Sequence, residues 1–192
     1  MASVPNSGPT APPPPVWDAR PVDLQVHYAG FWIRTAAAIV DGLILGVIAQ
    51  VFGYFAVEPK ALPALPSAQN TQAFYNYIQA TVQAAAPVQQ IVFSAVLCWA
   101  YFAFQESSTA QATLGKRALG LRVSTVEGGR LNLAKASLRA WPIYLPGAAL
   151  LLGTGIASLV YLVAIVACLV VAFSSRKQGI HDRMAGTIVT RI

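Results

Sequence analysis

The chain alternates long apolar runs with short segments that hold almost all of its charge. The first run extends from Phe31 to about Val57. At 1.5 Å per residue, about twenty helical residues cross a hydrocarbon layer roughly 30 Å thick, so this run predicts a spanning helix with some tilt. Tyr28, Phe31 and Trp32 precede or open it, where an interfacial aromatic belt sits. A second run covers about Val88 to Phe104, bounded by Pro87 and Glu106. A third, Ile143 to Phe173, is interrupted only by small residues, Pro146 and Thr154. It is too long for one upright span and short for two.

The segments between the runs carry their own signals. Glu58 to Ala86 holds three prolines, and Thr71 to Ala85 has a rough apolar stripe (Phe74, Tyr75, Tyr77, Ile78, Val82) that predicts a helix on the membrane surface. Ser107 to Arg139 is strongly basic. Within it, Leu121 to Val126 alternates, Glu127-Gly128-Gly129 is a turn, and Arg130 to Leu133 could return as a second strand. Such a ribbon is marginal alone and should lean on the bundle or on lipid headgroups. Asn132 is a natural N-cap for the next helix.

Charge placement orders these elements. Lys and Arg crowd the loop before the third run and the tail after it, so both flanks favour the cytoplasm. The run should then enter and leave on one side. Four spans follow, at about 31–56, 87–106, 135–152 and 156–173. Residues 57–86 form an extracytoplasmic loop, 107–134 a basic cytoplasmic loop, and 174–192 a cytoplasmic C-terminus. Three spans, or a re-entrant C-terminal segment, are the alternatives. The expected fold is thus an all-α, small transmembrane bundle with a short cytoplasmic β-hairpin. Residues 1–26, with Pro5, Pro9 and the Pro12–Pro15 run, read as a disordered cytoplasmic tail ahead of a domain at 27–192. No signal peptide is expected in Met1 to Val26.

Composition agrees. The chain is 56% apolar and 10% charged, whereas a soluble domain carries about 25% charged residues. The net charge of +6 falls at the ends of apolar runs, which points to anionic phospholipids rather than nucleic acid. Cys98 and Cys168 lie inside apolar runs without ligand-type neighbours and read as small hydrophobes.

Two charges fall inside the first run. Arg34 is near its start and can snorkel; Asp41 is near mid-membrane. An intramembrane carboxylate needs a cation, a hydrated cavity or a proton. It is either a cation or proton relay or part of a structural polar network, and the network reading is the weightier one. Gly42 and Gly46 should permit close helix packing beside it. Gly115-Lys116 lacks the glycines of a phosphate loop, so Lys116, Arg117 and Arg122 are expected to meet lipid phosphates. His27, His181, Asp182 and Glu106 follow no strong metal-ligand spacing, and no nucleophile stands in a triad context. Asp182, after the last span, can return to the bundle mouth and pair with Arg34. Glu106 is a candidate member of a polar cluster or simply a helix terminator. No cofactor is expected.

Gly30-Phe31-Trp32-x-Arg34, Asp41, Thr113-x-Gly115-Lys116-Arg117-x-x-Gly120-x-Arg122-Val123 and His181-Asp182-Arg183-x-Ala185-Gly186-Thr187 together resemble the RDD family of bacterial membrane proteins. The likeness runs from about His27 to Ile192. The family's arginine and two aspartates map onto Arg34, Asp41 and Asp182. The resemblance implies a location in the bacterial inner membrane and a transport-related role, with some members looking like cation/proton exchangers. The expected function is therefore non-enzymatic transport of cations or protons, in a homo-oligomer or a larger membrane complex. An accessory or assembly subunit of such a complex, and a lipid-handling protein, are the rival expectations.

Overall fold

The architecture is that of a computed structural model, which describes residues 26–57, 64–65, 70–85 and 87–192. The Pro-rich segment lies outside the described residues, apart from Val26. Seven helices and two strands follow in order: α1 (Phe31–Ala56), α2 (Thr71–Ala85), α3 (Val88–Ser107), α4 (Leu114–Ala118), β1 (Leu121–Thr125), α5 (Leu133–Ala148), α6 (Thr154–Phe173), α7 (Ile180–Ala185) and β2 (Thr187–Arg191). A 3-10 turn, Ala149–Leu152, joins α5 to α6.

Among the described residues, α1, α3 and α6 are the three helices long and apolar enough to cross a membrane. The first two fall where the apolar runs place them, and α2 occupies the surface-helix segment. The expected fourth span, 135–152, is a correction. In its place stands α5, with 16 residues and two internal prolines, Pro142 and Pro146. At 1.5 Å per residue it is about 24 Å long, short of a hydrocarbon layer. Proline removes a backbone donor and clashes with the preceding turn, and Arg139 turns inward rather than leaving a continuous apolar surface. The three-span arrangement fits this composition better. From its N-terminus α5 runs along α3, and the 3-10 turn leads to the start of α6, where Thr154 Oγ1 donates to Gln79 Oε1 of α2 at 3.5 Å.

The short ribbon is present, but its second strand is not Arg130–Leu133. β1 pairs antiparallel with β2, with Leu121 opposite Arg191 and Val123 opposite Val189. The turn after β1 closes on itself through Thr125 N–H to Gly129 O at 2.9 Å, and Leu131 drops into the core. Asn132 then caps α5, its Oδ1 accepting from Lys135 N–H at 2.8 Å. The segment before α1 joins the same edge, with Ala29 N–H donating to Val189 O and Arg191 N–H to His27 O.

The ribbon does lean on the bundle. Ala29, Ala37, Ala103, Leu121, Val123, Leu131, Ala136 and Val189 form one buried cluster. It draws the start of α1, the end of α3, the start of α5 and the C-terminal strand to one end of the molecule. At the other end, Phe52 of α1 stacks on Phe93 of α3 at 3.7 Å between ring centres. Gln90 Nε2 donates there to Ala49 O at 2.9 Å.

Candidate functional site

The gathered end of the bundle holds a lattice of buried charges. Arg34 leaves the first turn of α1 and uses three donors: Nε to Ala29 O at 2.9 Å, Nη1 to Asp182 Oδ2 at 2.6 Å, and Nη2 to Lys177 O at 2.5 Å. The pairing of Arg34 with Asp182 anticipated from sequence is thus formed. Asp182 lies on α7, and the N–H of Gly179, the residue that caps this helix, donates to Oδ2 at 3.0 Å. Gly186 ends that helix in the left-handed region (φ 62°) and turns the chain into β2.

Two residues complete the lattice. Arg139 of α5 donates through Nε to Asp182 Oδ1 at 2.8 Å and through Nη1 to Glu106 Oε2. Glu106, fully buried at the end of α3, also accepts from Lys116 Nζ. The chain of contacts therefore runs Arg34–Asp182–Arg139–Glu106–Lys116 and ties α1, α7, α5, α3 and α4 together. Lys116 corrects the sequence reading. Its ammonium faces Glu106 and the Phe102 ring (5.0 Å to the centroid) inside the bundle, rather than the outer surface. Arg117 and Arg122 remain exposed, and Arg122 donates to Gln111 Oε1.

Asp41 stands apart from the cations. Its Oδ1 accepts from Tyr101 OH at 2.6 Å and Gly115 N–H at 2.7 Å, and its Oδ2 accepts from Thr113 Oγ1 at 2.6 Å. All three donors are neutral. Thr113 also caps α4, accepting from Lys116 N–H. Gly115 is required by distance: a Cβ there would lie 2.2 Å from Ala37 O and 3.0 Å from Asp41 Cγ. The Thr-x-Gly-Lys sequence is thus a docking device. Its threonine and glycine bind Asp41, and its lysine reaches past to Glu106. Gly42 and Gly46, by contrast, do not sit in a tight helix contact; a Cβ at either meets nothing within 4 Å.

Electrostatics outside the spans follow the geometry. Burial pushes the Asp182 carboxyl up, but Arg139, His181, Arg34 and the Gly179 N–H outweigh it and hold it well below the usual carboxylate range. Burial pulls His181 down to about 4, with Asp182 opposing and Arg139, Arg34 and Lys116 assisting. Its Nε2 lies 3.5 Å from Asp182 Oδ1, and its Nδ1 has no partner. Burial also lowers Lys116, against the pull of Glu106.

Arg139 was missed by sequence reasoning, which counted it only as one base of a basic loop. The available signal was Glu106: an acid closing an apolar run needs a cation, and Arg139 is the base that directly precedes the apolar Ala140-Trp141 stretch. Among the described residues, no three His, Cys, Asp or Glu side chains gather as a metal-ion group.

Buried complementary charges that fasten membrane-crossing helices to a surface ribbon define a multi-pass membrane protein with a polar clamp at one end. The sequence profile of the RDD family matches residues 28–186, and the chain belongs to that family. It is also similar to the uncharacterized protein YxaI of Bacillus subtilis (strain 168), with 26% identity over 161 residues, 84% of this chain and 95% of that one. No solved structure matches.

Proposed function

We propose that this protein is a non-enzymatic accessory or assembly subunit of a larger membrane complex or homo-oligomer, and that its charge lattice is a structural clamp. The observation that carries this reading is the outward surface of the spans. Only 17%, 11% and 22% of the most apolar windows of α1, α3 and α6 are buried within the chain. Most of α1 and α6 is exposed and most of α3 is only partly covered, which leaves these faces for lipid or for another chain. The clamp supports the same reading: Arg34, Lys116 and Arg139 balance Asp41, Glu106 and Asp182, and every one of the three carboxylates has donors inside the chain.

The described bases Lys116, Arg117, Arg122, Arg176, Lys177 and Arg183 belong to elements at the clamp end, while α2 carries no charge. By the positive-inside rule we place the clamp on the cytoplasmic side of the cell membrane. Arg117 and Arg122 then meet anionic phospholipid.

Cation or proton exchange through Asp41 is the second reading, supported by a carboxylate at membrane depth. One pair of experiments separates the two. Extraction of native membranes in mild detergent should give a particle well above the 20.3 kDa monomer. Vesicles reconstituted with wild-type protein or Asp41→Asn should show the same pH-gradient-driven cation flux as empty ones. A lone stable monomer whose flux depends on Asp41 would replace the accessory reading with the exchanger.

A further inference from the structure

A cavity of about 360 Å³ lies over the clamp, between α1, α5 and α6. That is within the roughly 300–1,000 Å³ of small-molecule pockets. Its polar lining is Arg34, Lys116, Arg139 and His181 with one carboxylate, Asp41; its wall along α6 is Ala164, Ile165, Cys168 and Leu169. The polar lining holds unused donors. Arg139 Nη2 has no protein partner among the described residues, and Lys116 Nζ has Glu106 alone. Lys116 and Arg139 are both more than nine-tenths buried. The carboxylates beside it are already engaged: each oxygen of Asp41, Glu106 and Asp182 accepts at least one bond from within the chain. A group that accepts hydrogen bonds and carries negative charge satisfies such a lining.

The remainder of the space is apolar and opens sideways. Tyr161, Ile165 and Leu169 on its rim are 60%, 42% and 44% exposed, at the depth where a bilayer meets the helix. A second cavity of about 260 Å³ shares Ala38, Phe102 and Ile143 with the first and continues past Gly42, Gly46 and Ala49. The two therefore follow α1 from the clamp toward the far end, for about 16 Å between Ala38 and Ala49 at 1.5 Å per residue. This explains why Gly42 and Gly46 face open space: they floor a trough rather than a helix contact.

We propose that this double cavity is a binding site for a lipid with an acidic head. The head group sits against Arg139 and Lys116, and one acyl chain lies in the trough along Ala38, Gly42 and Gly46. A phospholipid phosphate and a fatty-acid carboxylate share that chemistry.

The test uses full-length protein in phosphatidylcholine vesicles doped with one diazirine-tagged lipid: phosphatidylglycerol, fatty acid or phosphatidylcholine. Labelled peptides are then mapped. Either acidic probe should label residues 161–169 and the α1 trough, and unlabelled lipid of the same head should compete; whichever probe labels more strongly names the source. Gly46→Leu and Ala38→Leu fill the trough without touching the clamp and should cut that labelling about tenfold. Ile39→Leu, which lines neither cavity, should leave it unchanged. Equal labelling by phosphatidylcholine, or labelling spread evenly around α6 and indifferent to Gly46→Leu, overturns the proposal. So does a lipid-independent cross-link between two copies through Tyr161 and Ala38, which would make the cavity a seat for a partner helix.

Discussion

Gly115→Ala is the smallest change that should open the clamp. The added methyl would sit 2.2 Å from the Ala37 carbonyl oxygen, a backbone atom that cannot rotate away, and 3.0 Å from Asp41 Cγ. Ordinary van der Waals contact begins near 3.4 Å, so α4 must retreat from α1 by about an ångström. That movement stretches the bonds from Gly115 N–H (2.7 Å) and Thr113 Oγ1 (2.6 Å) to the Asp41 carboxylate beyond useful length. Hydrogen bonds to a charged group contribute about 1.5–3 kcal/mol each, so the expected loss is roughly 3–6 kcal/mol. Against total stabilities of about 5–15 kcal/mol this is severe. Thermal unfolding in mild detergent, followed by tryptophan emission, should show a midpoint lowered on the order of 10 °C. Gly46→Ala is the control, since its new methyl meets nothing within 4 Å and alanine favours a helix by about 1 kcal/mol. Equal midpoints for Gly115→Ala and Gly46→Ala would refute the docking of α4 on Asp41.

Other outcomes follow from the same contacts. Glu106→Gln leaves Lys116 and Arg139 facing a neutral amide and should cost about 3–5 kcal/mol, with part of it recovered in Glu106→Gln/Lys116→Met; a double-mutant cycle on unfolding midpoints reads the coupling. His181 has its folded pKa lowered to about 4, so the unfolded chain binds the extra proton first. Its contribution is complete above the unfolded value of about 6.5 and is lost as pH falls from there toward 4; a midpoint series from pH 7.5 to 5 should slope down in wild type and less in His181→Asn. For the ribbon, Arg122→Cys/Thr190→Cys in a background lacking Cys98 and Cys168 should oxidise readily, because those positions are paired, whereas Arg122→Cys/Arg130→Cys should not. The reverse result would restore the local hairpin.

The helices were largely legible because each is encoded locally. Phe31–Ala56 is a long apolar run broken by only two charges, and α2 and the Asn132 cap also stand where periodicity and side-chain chemistry put them. The missed fourth span shows where that reading stops. Positive flanks on both sides of Ile143–Phe173 argued for two upright helices, but charge bias addresses sidedness and says nothing of helix length. The helix instead runs through Pro142 and Pro146 only as far as Ala148, and a 3-10 turn takes the remainder. The ribbon failed for a similar reason. Alternation located Leu121–Thr125, yet the partner sixty-odd residues downstream is selected by tertiary closure, which no local turn signal reports.

The site divides along the same line. Arg34 with Asp182 could be inferred because both are costly where they stand and their signs match. Lys116 looked like a lipid contact because a basic residue beside an apolar run usually is one. What redirects it is Gly115: lacking a side chain, it lets α4 descend onto α1 until the neighbouring lysine is buried and its ammonium bonds to Glu106. Thr113, Gly115 and Lys116 are therefore one device with two targets, fastening Asp41 with neutral donors and Glu106 with a charge. The two acids should then respond differently to neutralisation. Asp41→Asn keeps one oxygen acceptor but turns its amide hydrogens toward donors, a local mismatch at α4. Glu106→Gln strands two cations and should loosen α3, α4 and α5 together, so proteolysis after Glu106→Gln should open the segment between α4 and α5 as well as α4 itself.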